Sequence, residues 1–179
     1  GGPYEPGPPS KKSIDEFLEG RIPRNAKITT ATRSSGDDIL DDTAYEKTLL
    51  EVQRGVLQRP YESLDGVPFD DVALVPRHGI WEQHGGAEEP TVRCIDDMLA
   101  GGQNDTVGTM SAHRPTDPDG LVAQTQAVRR RYPQERLKGW PCDLEKAYKQ
   151  VACDPKMIRF VIIIRWSTRH GKPMYFYLR

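Results

Sequence analysis

Between Asp38 and Leu57 the apolar residues Tyr45, Leu49, Val52 and Val56 recur at helical spacing, and Leu50 and Leu57 widen the stripe. This predicts a helix over about 38–57. Asp37 and Asp38 stand where the macrodipole favours acidic groups, and Pro60 stops the helix. A shorter helix is expected over Ser13–Glu19, with Ser13 as its cap and Glu16 at capping-box spacing. Residues 21–36 carry few apolar positions and read as polar and turn-like.

From Val67 to Gln103 the pattern shortens to extended pieces broken by Pro68, Pro76, Gly79, Gly85, Gly86 and Pro90. Val72–Val75 and Val92–Ile95 are the strand candidates there. Another helix is expected from Asp117-Pro118, with Leu121, Thr125, Val128 and Tyr132 on one face. Arg129, Arg130 and Arg131 close its last turn, and Pro133 ends it. Further on, a short strand Trp140–Leu144 leads into a helical turn at Glu145–Val151. Apolar strands Arg159–Trp166 and Pro173–Leu178 then flank a polar hairpin loop. This order predicts an α+β fold, a mostly antiparallel sheet with flanking helices.

Composition changes this picture in two places. The Pro/Gly-rich stretch 1–12 is too polar to order itself and reads as a flexible tail. A helical segment over 13–66 and a domain over 67–179 follow it. Charge is split: residues 1–120 hold 12 Lys and Arg against 22 Asp and Glu, and residues 121–179 hold 13 against 4. A basic C-terminal part suits a polyanion, although mutual neutralisation within the fold serves as well. No apolar run is long enough to cross a bilayer, so no membrane partner is expected. Cys94, Cys142 and Cys153 lack paired spacing and read as reduced thiols of an intracellular protein, cytoplasmic or nuclear. His78, His84, His113 and His170 show no zinc-ligand spacing.

Asp143 stands at the end of a short apolar strand, just before a helical turn with Ala147 and Tyr148. Such a carboxylate either caps the turn or holds Mg²⁺ through oxygen ligands. Lys146, Lys149, Arg159, Arg165, Arg169 and Lys172 alternate with Tyr148, Trp166 and Tyr175. That mixture fits backbone phosphates with base stacking, and equally a solvated face.

The run Asp143-Leu-Glu-Lys-Ala-Tyr148-Lys-Gln resembles motif A of reverse transcriptases: Asp, three variable residues, Ala, then an aromatic. The stretch Thr91-Val-Arg93-Cys-Ile-Asp-Asp97, with Asn104 beyond, is similar to the fingers segment that precedes motif A. The resemblance covers about 69–179. It implies the fingers and first palm segment of a retroelement RNA-directed DNA polymerase, a nucleotidyltransferase. Asp143 would then be the catalytic, metal-binding carboxylate for two Mg²⁺ ions. Tyr148 would exclude a 2′-hydroxyl, Arg93 would hold the triphosphate, and Asp97 would sit near the templating base or brace the fingers. Arg77 is a candidate for a second triphosphate cation. The implied partners are an RNA or DNA template–primer, contacted by Lys146, Lys149, Arg165 and Arg169, and deoxynucleoside triphosphates.

Motif C, an Asp-Asp pair between apolar residues after motif A, does not occur in these residues, and Asp96-Asp97 precedes motif A. One palm carboxylate cannot hold two cations, so this segment is expected to be inactive without the rest of the polymerase chain. The alternative is a non-catalytic nucleic-acid-binding or interaction remnant of a mobile element.

Overall fold

Ile162, Ile163 and Ile164 have no polar face to offer water, so the strand that carries them must be covered on both sides. The computed structural model, which describes residues 8–83, 89–108, 118–138 and 155–179, places that strand inside a sheet. Four strands build it: β1 (Leu74–Glu82), β2 (Thr91–Asp96), β3 (Ile162–Ser167) and β4 (Lys172–Tyr177). Their order is β2-β1-β3-β4. The β1–β2 and β3–β4 pairings are antiparallel, with Ile80 opposite Arg93 and Ile163 opposite Phe176. β1 and β3 run parallel, Leu74 facing Ile162. The fold is α+β with a mixed sheet.

Alternate residues of β3 go to opposite faces. Ile162 and Ile164 pack with Leu74, Tyr175 and Ile28, and Ile163 packs with Met174, Phe176 and Tyr45. Ile28 belongs to helix α2 (Arg21–Ala31) and Tyr45 to helix α3 (Asp38–Gln53), so these helices cover opposite faces. Each fully buried isoleucine is worth roughly 1.5–3 kcal/mol.

Helix α1 (Ile14–Glu19) forms as its sequence predicts. The Ser13 hydroxyl accepts from the Glu16 amide and the Glu16 carboxylate accepts from the Ser13 amide. Phe17 from this helix packs edge-on against Phe160 over Ala73.

Helix α2 corrects the turn-like expectation for 21–36. Its only buried residue is Ile28, so it offers little apolar surface to the core. Tertiary hydrogen bonds hold it instead: Asn25 donates to Val72 O at 2.8 Å and accepts from Leu74 N at 3.1 Å.

Helix α3 ends four residues before the predicted Leu57. Gly55 takes a φ of +73°, and the Gly55 and Val56 amides turn back to Val52 O and Glu51 O. A glycine in the left-handed region is a helix stop well before Pro60 is reached. Its buried face also differs from the expected stripe. Asp41, Ala44, Tyr45, Thr48 and Glu51 are buried, whereas Leu50 is exposed.

Lys12 N donates to Asp105 O at 2.9 Å, which anchors the end of the Pro/Gly-rich segment. Residues Ser10–Gly108 with Ala152–Arg179 make one compact unit. The other comprises Gly1–Pro9 with Thr109–Val151, and its described helix is α4 (Pro118–Arg131). It starts at Pro118 and places Arg129–Arg131 in the last turn, as the sequence predicts. The Trp140–Leu144 strand and Glu145–Val151 helical turn lie outside the described residues.

Candidate functional site

The strand pair β1–β2 carries Arg93 and Arg77, for which the resemblance implies triphosphate contacts. Arg93 projects from β2 into solvent and donates to Glu82 Oε1 across the pair at 3.1 Å. An exposed pair of this kind is worth roughly 0–1 kcal/mol, so the guanidinium can exchange Glu82 for another anion.

Asp97 follows the end of β2. Its amide donates to Pro76 O at 2.9 Å, and its carboxylate accepts from the Ala100 and Leu99 amides at 2.8 and 3.1 Å. His78 Nε2 stands 3.5 Å away. The Ala100 amide chiefly, with help from His78, holds this carboxyl below the usual carboxylate range. Asp97 therefore braces the turn that carries the chain out of the hairpin. Because its value is lowered on folding, its contribution is complete above the ordinary carboxylate range and disappears as pH falls through the folded value.

Two of the expected phosphate-binding cations turn inward. Arg77 is 2% exposed, its Nε and Nη2 straddling the Asp96 carboxylate at 2.5 and 2.9 Å and its Nη1 meeting Glu51 at 2.9 Å. Burial by itself would lower its pKa, but Asp96 and Glu51 outweigh it and hold the guanidinium above the ordinary arginine value. Arg165 is 4% exposed and donates to Asp41 Oδ1 at 3.0 Å and to Arg77 O at 3.3 Å. Residues 77 and 165 occupy the sheet face that α3 covers, alongside Ile163. Both readings as phosphate contacts are corrected accordingly: these arginines neutralise acidic residues of α3 and β2.

Arg169 is exposed on the β3–β4 turn and pairs with Glu46. Asp143, Lys146, Tyr148 and Lys149 lie outside the described residues, so no contact is assigned to them, and the fit of Mg²⁺ at Asp143 belongs to the sequence argument. Among the described residues, no group of three or more His, Cys, Asp and Glu side chains is placed to hold a metal ion. No described helix is long and apolar enough to cross a membrane. Cys94 is half-buried with its Sγ 3.6 Å from Ala44 O, and burial pushes its thiol pKa up.

The structure also brings together residues that no sequence motif connected. A cleft of about 580 Å³ opens between α2 and the neighbouring sheet face, lined by Arg24, Lys27, Arg33, His78 and Trp166 among others. Only the run of cations without an acid between Gly20 and Gly36 hinted at it. Comparison with protein families, with curated proteins and with solved structures finds no match to this chain.

Proposed function

We propose that the chain is the fingers and first palm segment of an RNA-directed DNA polymerase encoded by a mobile element. The observation that carries this reading is the order of its motifs. Arg93 to Asp97 comes first, Asp143 to Tyr148 follows about fifty residues later, and a polar-turned hairpin comes next. Support comes from the exposed position of Arg93 on a β-hairpin and from Asp97 bracing the turn after it.

In this reading Arg93 binds triphosphate oxygens, where a planar and permanently charged fork suits phosphate geometry. Tyr148 lies beneath the sugar and excludes a 2′-hydroxyl by shape. Asp143 supplies oxygen ligands for Mg²⁺, whose two ions, when bound, activate the primer hydroxyl and stabilise the leaving pyrophosphate. The arginine acts through position and charge, without bonding covalently to the nucleotide.

Primer extension tests the reading, using the chain continued through a downstream, apolar-flanked Asp-Asp. Asp143→Asn is expected to abolish extension while nucleic-acid binding persists. Undiminished extension by the variant would sink the metal-ligand assignment. A continued chain that binds nucleic acid but never extends a primer would favour the alternative, a non-catalytic binding remnant.

A further inference from the structure

Several cations in the described part of the molecule are paired with carboxylates. Arg21 meets Asp71, Arg77 meets Glu51 and Asp96, Arg93 meets Glu82, Arg165 meets Asp41, Arg169 meets Glu46 and Lys172 meets Glu62. Arg24, Lys27 and Arg33 are among the cations that have no carboxylate partner among the described residues. All three line the cleft between α2 and the sheet, and no Asp or Glu lines it with them. The segment Gly20–Gly36 that carries them holds four cations and no acid, within a stretch that is otherwise strongly acidic.

The individual positions add detail. Arg24 sets its guanidinium carbon over the Phe17 ring, 4.0 Å from the ring centre, and donates through Nη2 to Phe17 O, and its buried Nε has no partner. Stacking and that one bond hold the guanidinium at the cleft wall. Lys27 and Arg33 are exposed. Trp166 reaches the cleft from β3, on the same sheet face as Ile162 and Ile164, and His78 reaches it from β1. Positive charge strung along and just beyond α2 beside a half-buried indole is a combination that tracks a phosphate backbone and stacks a base. Convergence on one point would suit a lone phosphate, but Arg24 and Ala31 alone lie about 10 Å apart along the helix.

We propose that this cleft binds a single-stranded nucleic acid, with backbone phosphates on Arg24, Lys27 and Arg33 and a base against Trp166. The proposal rests on the nucleic-acid reading above and extends it to a face of α2 that neither resembling motif includes. It is independent of Asp143, so failure of either leaves the other standing.

The test is fluorescence anisotropy of a labelled oligo(dT) of about twelve nucleotides titrated with the full chain across a salt series. Lys27→Gln/Arg33→Gln is expected to weaken binding by about tenfold at low salt. It should also flatten the slope of log K against log salt by about 1.4, two single-strand phosphate contacts at ~0.7 each. Lys11→Gln/Lys12→Gln removes two charges elsewhere and is expected to bind like the wild type. Trp166→Leu should weaken binding by at least about fivefold. If that variant does not fold, the double glutamine variant decides.

Wild-type affinity and salt slope in Lys27→Gln/Arg33→Gln would overturn the proposal. So would displacement of the oligonucleotide by inorganic phosphate or thymidine monophosphate at equal phosphate concentration, which would mark a small-anion site. Equal displacement by polyglutamate would mark an acidic-protein site and overturn it as well.

Discussion

Arg77 and Arg165 follow directly on the last paired residues of the parallel strands β1 and β3, and both face α3. Two arginines side by side repel unless acids intervene. Asp41 and Glu51 of α3 and Asp96 of β2 meet that need. Ion pairs of this kind gain little over apolar packing, yet losing one partner is costly because the remaining charge stays buried. Arg77→Met is therefore expected to lower unfolding free energy by roughly 3–5 kcal/mol in urea denaturation at pH 7. It leaves Glu51 and Asp96 without their shared cation. A buried carboxylate that loses a cation is more readily kept neutral. The deficit against wild type should thus shrink as pH is lowered. A deficit that stays constant with pH would show that lost packing, not uncompensated charge, dominates.

At the scale of elements, the approach of α3 to β1 depends on one missing side chain. A Cβ at Gly79 would lie 2.9 Å from Ala44 Cβ and 3.2 Å from Leu40 Cδ1. Gly79→Ala should push the start of α3 off the sheet and cost about 1–3 kcal/mol, read from the shift of the denaturation midpoint. Adding Ala44→Gly should recover part of the loss, because the clash is with that methyl group. Helix α2 is held differently. Asn25→Ala would strip the Val72 carbonyl and Leu74 amide of their side-chain partner, at a cost of about 1–3 kcal/mol. Hydrogen exchange at the Leu74 amide should accelerate correspondingly, and unchanged protection there would show that α2 is anchored by other contacts. These elements differed in how far local pattern revealed them. The Ser13–Glu16 capping box and the Pro118 helix start are short-range devices whose partners lie within one turn. Few apolar positions mark α2, and the bonds that hold it reach almost fifty residues along the chain.

Over the whole molecule, the division of charge between acidic and basic stretches resolves partly into internal pairs. Arg165, Arg169 and Lys172 from the basic end meet Asp41, Glu46 and Glu62 from the acidic part. Mutual neutralisation therefore accounts for three cations whose alternation with aromatics fits phosphate contacts and a solvated face equally. Arg24, Lys27 and Arg33, which have no carboxylate partner among the described residues, instead line one cleft along and just beyond α2. Residue order by itself determined the strands around Val92 and the isoleucine run, the hairpin after it, the α+β class and the resemblance of Arg93, Asp97, Asp143 and Tyr148 to polymerase motifs. These depend on runs and spacings within a few residues, where periodicity and chemistry are local. Only the tertiary structure decided that β1 and β3 pair in parallel, that Arg77 and Arg165 are buried, and that Arg24, Lys27 and Trp166 share a cleft. The physical reason is that a charged side chain is buried or exposed according to the sheet face it occupies and the carboxylates the fold sets against it. Those partners lie as far as 124 residues away in the chain, as Asp41 does from Arg165.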